Sequence, residues 1–221
     1  MYHLPYTGIN MKKLLLASDG KFLIDRGYQL IGIPKDQMKI GYITTASKGA
    51  RDTAYLENHK VAMKEHGYQF EEIDIEGKNE QEIRLALKNK TVIHIEGGNT
   101  FYLLKVIKES AFEKLLVELI DAGIPYIGTS AGSYIACPTI EMATWGPDIK
   151  NRYGLEDLNA LNLVPFLLKV HYEDSMEEFL KEKITQCKYP VKVLRDGQAL
   201  IIQDSDVRDI QFVGEGHEVK I

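Results

Sequence analysis

The chain has 221 residues, of which 44% are hydrophobic and 27% are charged, with a formal net charge of −5. This composition fits one α/β domain with a full core, and the interspersed charges form no basic stripe of the kind that binds nucleic acid. The two cysteines indicate neither a disulfide framework nor a cysteine metal cluster. The six histidines lack His-x-x-x-His and His-Glu-x-x-His spacings, which disfavours a catalytic metal.

The first residues of the chain do not look like part of the core. Residues 1–10 show no hydrophobic period, so we expect a loose leader before a single domain over residues 11–221. Residues 11–17 imitate the start of a signal peptide, but the apolar run is short and is followed by Asp19 and Lys21. We interpret it as a buried strand. No apolar run could cross a membrane, and we expect a soluble, cytoplasmic monomer or homodimer.

Strand-like and helix-like segments alternate from residue 13 to residue 137. The predicted strands cover 13–18, 38–44, 70–75, 91–95 and 126–129, and the predicted helices cover 23–30, 54–66, 80–88, 101–122 and 133–137. This alternation predicts a mostly parallel central sheet with helices on both faces. Ligands in such sheets bind at the carboxyl ends of the strands.

The pattern is less regular after Pro138. We predict an extended segment over 163–171, a helix over 175–187 with Ser175 as its cap, and a strand over 191–194. Two last apolar segments, 200–202 and 210–213, predict a small C-terminal β-ribbon.

The segment Gly128-Thr129-Ser130-Ala131-Gly132 follows the fifth predicted strand and precedes a helix. A serine between small residues at such a junction is typical of a nucleophile elbow, in which glycines permit a tight crossing. The Ala131 N–H would then face a developing oxyanion. The pentapeptide is also compatible with a plain turn whose serine caps the helix.

A serine nucleophile needs a base and an orienting acid. Downstream, His171 stands at the end of one predicted strand and Asp196 at the end of the next, in Leu194-Arg195-Asp196-Gly197. Asp148, Glu156 and Asp157 compete for the role of the acid. Upstream, a glycine N–H in the turn at Gly97-Gly98 could complete an oxyanion hole.

Four segments together resemble the peptidase E family of aspartyl dipeptidases, to which cyanophycinase is related. They are Glu96–Phe101, Tyr126–Gly132, Ala136–Ile140 and Leu158–Leu163. The resemblance covers most of the chain from Met11 onward. It implies a fold like that of class I glutamine amidotransferases (flavodoxin-like), with serine replacing their nucleophilic cysteine. It also implies a serine peptidase for short peptides, such as Asp-Xaa dipeptides, that needs no metal or cofactor.

The resemblance assigns the nucleophile to Ser130, the general base to His171 and the oxyanion donors to Gly98 and Ala131. Asn99 and Ser133, beside the two special turns, are the expected substrate contacts.

The third catalytic member of the family has two assignments. A family glutamate falls on Asp196, whereas a family aspartate falls on Trp145, which cannot act as an acid, although Asp148 is nearby. We therefore favour Asp196.

The segment after His171 departs from the family pattern, because residues 171–178 are short and acidic where the family has a longer basic segment. An acidic rim would repel an aspartyl side chain and favour a free amine, but the segment is also compatible with a solvated helix start. Two other functions stay open: another serine acyl hydrolase, such as an esterase, or a non-catalytic binder of a small ligand. The order Ser, His, acid disfavours an α/β-hydrolase esterase, which has Ser, acid, His.

Overall fold

The computed structural model describes residues 12–145, 151–203 and 209–221, so the expected leader and Asp148 lie outside the described residues. The strands are β1 Leu14–Ala17, β2 Lys39–Ile43, β3 Gln69–Ile73, β4 Val92–Ile95, β5 Tyr126–Thr129, β6 Leu167–Lys169, β7 Val191–Val193, β8 Gln198–Ile202 and β9 Ile210–Gly214. The helices are α1 Gly20–Phe22, α2 Tyr28–Leu30, α3 Ala54–Glu65, α4 Glu80–Leu87, α5 Thr100–Glu109, α6 Phe112–Asp121, α7 Ala131–Ile135 and α8 Glu177–Thr185. A π turn, Leu23–Gly27, joins α1 to α2. None of the helices in these ranges is long and apolar enough to span a membrane.

The central sheet has seven strands in the order β3-β2-β4-β5-β1-β8-β9. The first five are mutually parallel, and β8 and β9 are antiparallel to their neighbours. In position along the sheet, β3, β2, β4 and β5 correspond to strands 2, 1, 3 and 4 of the flavodoxin-like order 2-1-3-4-5, and β1 occupies the position of strand 5. The predicted mostly parallel sheet is confirmed.

Helices cover both faces of this sheet, as predicted. Along β1 the side chains alternate between two apolar layers. Leu14 and Leu16 belong to the layer that contains residues of α4, α5, α6 and α7, whereas Leu15 and Ala17 belong to the layer that contains residues of α3 and the α1–α2 region. The strand is buried throughout because each face has its own apolar layer. Helices on both faces leave the carboxyl edge of the sheet for a site.

Two features of the second half of the chain go beyond what the sequence predicted. The strands β6 and β7 do not join the central sheet but form a separate, parallel two-stranded sheet. The C-terminal ribbon of β8 and β9 exists, but β8 also pairs with β1, so the ribbon extends the central sheet. Both features depend on which strands pair, and pairing partners cannot be read from a local pattern.

The predicted bounds of the helices over 101–122 and 175–187 are partly wrong. The first is broken at Ser110, whose extended backbone ends α5 and whose hydroxyl accepts from the Phe112 N–H over 3.3 Å. The second begins as a 3-10 turn, Asp174–Met176, so Ser175 lies inside that turn and is not the cap of α8. Short polar side chains compete for backbone groups at such places and interrupt helices.

Candidate active site

Ser130 stands at the turn between β5 and α7 in a strained backbone conformation. Its φ is 48° and its ψ is −105°, a region that residues with side chains rarely adopt. A Cβ on Gly128 would lie 2.6 Å from the backbone of Gly132, and a Cβ on Gly132 would lie 2.1 Å from the Ile95 carbonyl oxygen. The two glycines therefore permit the tight crossing that the sequence predicted.

The His171 ring lies between the Ser130 hydroxyl and the Asp196 carboxylate. Its Nε2 is 2.9 Å from Ser130 Oγ, and its Nδ1 is 2.6 Å from Asp196 Oδ1. A carboxylate beside Nδ1 places the proton of the neutral ring there and turns the Nε2 lone pair toward the hydroxyl. The structure thus brings together the three residues selected from the sequence. They meet where the carboxyl end of β5 faces the carboxyl ends of β6 and β7, so two sheets contribute to the site.

The Asp196 carboxyl is held in its ionised form. The hydrogen bond from His171 lowers its pKa most, partial burial opposes this effect, and the charge of His171 and the Ser18 hydroxyl add to the lowering. An ionised carboxylate at this position can orient the imidazole and stabilise the imidazolium.

Ser18 is a member of this cluster that the sequence analysis missed. Its hydroxyl donates to Asp196 Oδ1 over 2.7 Å and accepts from the His171 N–H over 2.9 Å. The parallel register that pairs Ala17 with Thr129 places Ser18 beside Ser130. Finding it from the sequence would have required knowing that β1 lies next to β5.

The competing acids do not approach His171 within the described part of the chain. Asp157 pairs with Lys108 Nζ at 2.5 Å, and Glu156 is exposed to solvent. Asp148 lies outside the described residues. Asp196 is therefore the described carboxylate that contacts the imidazole.

The two predicted oxyanion donors belong to the two turns that meet at Ser130. Gly98 has a φ of 144°, and a Cβ on it would lie 2.4 Å from the Ala46 carbonyl, so only glycine fits there. In the same turn, a Cβ on Gly97 would lie 3.2 Å from Ser130 Cβ. Ala131 follows Ser130 directly and is the first residue of α7.

The two expected substrate contacts occupy different environments. Asn99 lines the cavity beside Ser130, and its Oδ1 also caps α5 by accepting from the Tyr102 N–H over 2.9 Å. Ser133 is fully buried, and its hydroxyl lies 2.8 Å from the carbonyl oxygens of Ala17 and Gly128. This burial does not fit a substrate contact, and we replace that expectation for Ser133 with a role in holding α7 against β1 and β5.

A cavity of about 610 Å³ lies at the carboxyl ends of β1, β2, β4 and β5, and Ser130 and His171 form part of its wall. The charged residues along it are Asp19, Lys21, Arg51, Glu96 and Arg152. In the described ranges, no three His, Cys, Asp or Glu side chains are grouped as a metal ion would require.

The acidic segment after His171 does not line this cavity. Asp174 pairs with Arg195, and Lys181 pairs with Glu177 at 2.7 Å and with Glu178 at 3.4 Å. These contacts fit the solvated helix start and not a rim that repels anions.

A second histidine–carboxylate pair in the cavity also escaped the sequence analysis. Glu96 is buried and accepts hydrogen bonds from the Tyr42 hydroxyl, from His59 Nδ1 over 3.1 Å and from the Gly97 N–H over 2.6 Å. The available signal was the polar residue pair His94 and Glu96 at the end of an otherwise apolar strand.

Comparison with known proteins identifies the family. The profile of peptidase family S51 matches residues 17–210, and the chain belongs to that family. An uncharacterized peptidase of Listeria monocytogenes is 33% identical over 171 residues, which are 76% of this chain and 83% of the relative. Peptidase E of a Nostoc species is 31% identical over 183 residues, which are 77% of this chain and 71% of the relative.

Solved structures agree with this assignment. A crystal structure of a Listeria monocytogenes protein provisionally named peptidase E has a TM-score of 0.80 and 30% identity, covering 93% of this chain and all of the other. A peptidase from an acI-B1 actinobacterium, with a TM-score of 0.67 and 16% identity over 95% of this chain and 91% of the other, shares the fold.

Proposed function

We propose that this peptidase is a serine-type enzyme that hydrolyses short peptides, in particular dipeptides with an N-terminal aspartate. The proposal rests on one observation, the continuous contacts from Ser130 Oγ through His171 to Asp196, at 2.9 and 2.6 Å. Membership of family S51 and the relatives named peptidase E support it.

In the acylation step, Ser130 Oγ attacks the scissile carbonyl carbon while its proton passes to His171 Nε2. The resulting imidazolium carries a proton on each nitrogen, and Asp196 stabilises that charge through Nδ1. When the tetrahedral intermediate collapses, Nε2 gives its proton to the leaving amine. The first amino acid stays bound to Ser130 as an ester.

The negative charge on the carbonyl oxygen needs fixed donors during this step. We assign them to the backbone N–H groups of Gly98 and Ala131. Each such donor typically contributes about 100- to 1000-fold in rate, because it is already oriented when the charge develops.

Water completes the cycle. His171 takes a proton from a water molecule, the hydroxide attacks the ester, and Ser130 Oγ leaves with the proton from Nε2. Every proton transfer in this scheme uses side chains of this chain and water.

The size and the charges of the cavity support the proposal of a short, acidic substrate. Its volume of about 610 Å³ lies within the usual range of small-molecule sites, ~300–1000 Å³. Arg51 and Arg152 are exposed and line it, so they can attract a substrate carboxylate.

The test is hydrolysis of an Xaa-Leu dipeptide panel in which the first residue is Asp, Asn, Glu, Ala, Lys or Phe. We expect kcat/KM to be highest for Asp-Leu and lower for Asn-Leu, which has the same shape without the charge. Equal rates across the panel would refute the aspartyl preference but would still support peptidase activity. No cleavage of any member would reject the peptidase and favour a non-catalytic binder.

A further inference from the structure

The second histidine–carboxylate pair in the cavity has no part in the proposed proton transfers. His59 comes from α3, and its side chain is 18% exposed, whereas that of Glu96 is only 2% exposed. A buried carboxylate is costly unless donors surround it, and Glu96 has three. The pair therefore has a fixed geometry in which His59 alone can meet a ligand.

The fold makes room for the His59 ring. A Cβ on Gly20 would lie 2.3 Å from His59 Cε1 and 2.6 Å from Nδ1, so the ring occupies space that any other residue at position 20 would take. Tyr55, on the same helix α3, contacts the ring edge-on, with centroids 5.7 Å apart. The ring is thus held by contacts with Gly20 of α1 and with a neighbouring side chain of its own helix.

The pair is close to the candidate nucleophile. Glu96 Oε1 accepts from the Gly97 N–H over 2.6 Å, and the Tyr55 hydroxyl donates to the Gly97 carbonyl over 2.9 Å. Gly97 is the residue whose Cβ would lie 3.2 Å from Ser130 Cβ. One glycine therefore separates this pair from Ser130.

The acids of the cavity are already occupied by protein donors. Glu96 uses both oxygens, and Asp19 accepts from the N–H groups of Phe22 and Gly197. By contrast, His59 bonds to Glu96 through Nδ1, and its Nε2 has no hydrogen-bond partner among the described residues. His59 Nε2 can therefore offer its N–H to an anionic ligand without breaking a bond within the protein.

The charge of His59 follows from the same contacts. Burial disfavours its protonated form, but the hydrogen bond and charge of Glu96, together with the charge of Asp19, raise the pKa of His59 above its ordinary value. Glu96 fixes one proton on Nδ1, so the second proton makes Nε2 a charged donor.

We infer that His59, held by Glu96, is a specificity-determining residue that binds a carboxylate of the peptide substrate. The inference rests on the proposed function for the nature of the ligand. An aspartyl dipeptide offers two such carboxylates, the aspartyl side chain and the C-terminus, and the experiment separates them.

The experiment measures binding by calorimetry in a Ser130→Ala background, in which no turnover occurs, with Asp-Leu, Asn-Leu and Asp-Leu-amide. His59→Gln is the test variant, because glutamine can still donate to Glu96 but carries no charge. His66→Gln, an exposed histidine just beyond the end of the same helix, is the matched control. Gly20→Ala is a second variant that displaces the ring without removing it, and thermal melting checks that each variant is folded.

We expect His59→Gln and Gly20→Ala to weaken Asp-Leu binding at least tenfold and His66→Gln to leave it unchanged. If the affinity for Asn-Leu is the one that His59→Gln leaves unchanged, then His59 contacts the aspartyl side-chain carboxylate. If it is the affinity for Asp-Leu-amide, then His59 contacts the C-terminal carboxylate. The inference is overturned if Asp-Leu does not bind, if His59→Gln leaves its affinity unchanged, or if all three ligands lose affinity equally. Hydrolysis by protein that retains Ser130 is measured separately, so failure of the peptidase proposal is distinguishable from failure of this inference.

Discussion

At the scale of single residues, the site is a chain of hydrogen bonds that extends beyond the three residues found from the sequence. Ser130, His171 and Asp196 were recognisable because each follows a strand and their side chains suit proton transfer. Ser18 follows a strand too, but a serine after Ala17 has no local feature that marks it. Its contacts with both Asp196 and the His171 backbone show that the residues that orient such a site come from tertiary neighbours, which the local sequence does not reveal.

We predict that Ser18→Ala lowers kcat about tenfold, which corresponds to ~1.4 kcal/mol, because the two hydrogen bonds of its hydroxyl no longer hold Asp196 and His171 in place. KM should stay near the wild-type value, since the hydroxyl is engaged by protein groups. Steady-state kinetics with Asp-Leu measure both constants. Ser110→Ala, between α5 and α6, is a control that should change neither. An unchanged kcat in Ser18→Ala would show that the imidazole needs no such support.

At the scale of elements, most strands and helices could be predicted because apolar periodicity is a local signal. The break between α5 and α6 is visible in the sequence, because Ile107 and Phe112 are five residues apart whereas apolar residues on one helix face recur every three or four residues. The turn at Gly98 was identified from its two glycines. The reason for glycine there, the close approach of Ala46, could not be known without the packing of the turn after β2 against the turn after β4.

Gly98→Ala should therefore be damaging. The new Cβ would lie 2.4 Å from the Ala46 carbonyl, and the alanine would have to keep a φ of 144°. We therefore expect a loss of ~1–3 kcal/mol in the free energy of unfolding and a severe loss of activity. Gly77→Ala is the matched control, because its φ is also positive, at 69°, but no atom lies within 4 Å of the added carbon. Urea unfolding and hydrolysis assays on both variants provide the test. Equal effects of the two substitutions would contradict the packing argument.

At the scale of the whole molecule, the alternation of elements was enough to predict a parallel sheet, but not the place of β1 between β5 and β8. That placement decides the site, because it carries Ser18 and Asp19 to the edge where β4 and β5 end. A buried polar cluster of Tyr28, His94 and Thr129 lies at the same end of β4 and β5. His94 on β4 lies 2.8 Å from the Tyr28 hydroxyl through Nδ1 and 2.6 Å from Thr129 Oγ1 through Nε2.

This buried cluster predicts loss of stability on acidification. Burial lowers the pKa of His94 to about 4 from the ordinary 6.5, so between these values the unfolded chain binds a proton that the folded chain does not. The contribution of His94 to folding stability is then complete above pH 6.5 and falls as the pH is lowered toward 4. Urea midpoints at pH 7.5 and 5.5 measure the effect.

His94→Gln supplies the comparison for this prediction. It should lose less stability over the same pH interval than the wild type does. The comparison is needed because His59, whose pKa is raised, contributes with the opposite sign in both proteins. Parallel pH dependences of the two proteins would contradict a neutral, buried His94.

The central claim, that the Ser130 hydroxyl is the nucleophile activated by His171, is tested most directly by the rate of Asp-Leu hydrolysis in Ser130→Ala. We predict that kcat falls by ~10⁴-fold or more while the thermal melting temperature stays close to that of the wild type. A folded Ser130→Ala protein that hydrolyses Asp-Leu at the wild-type rate would contradict it.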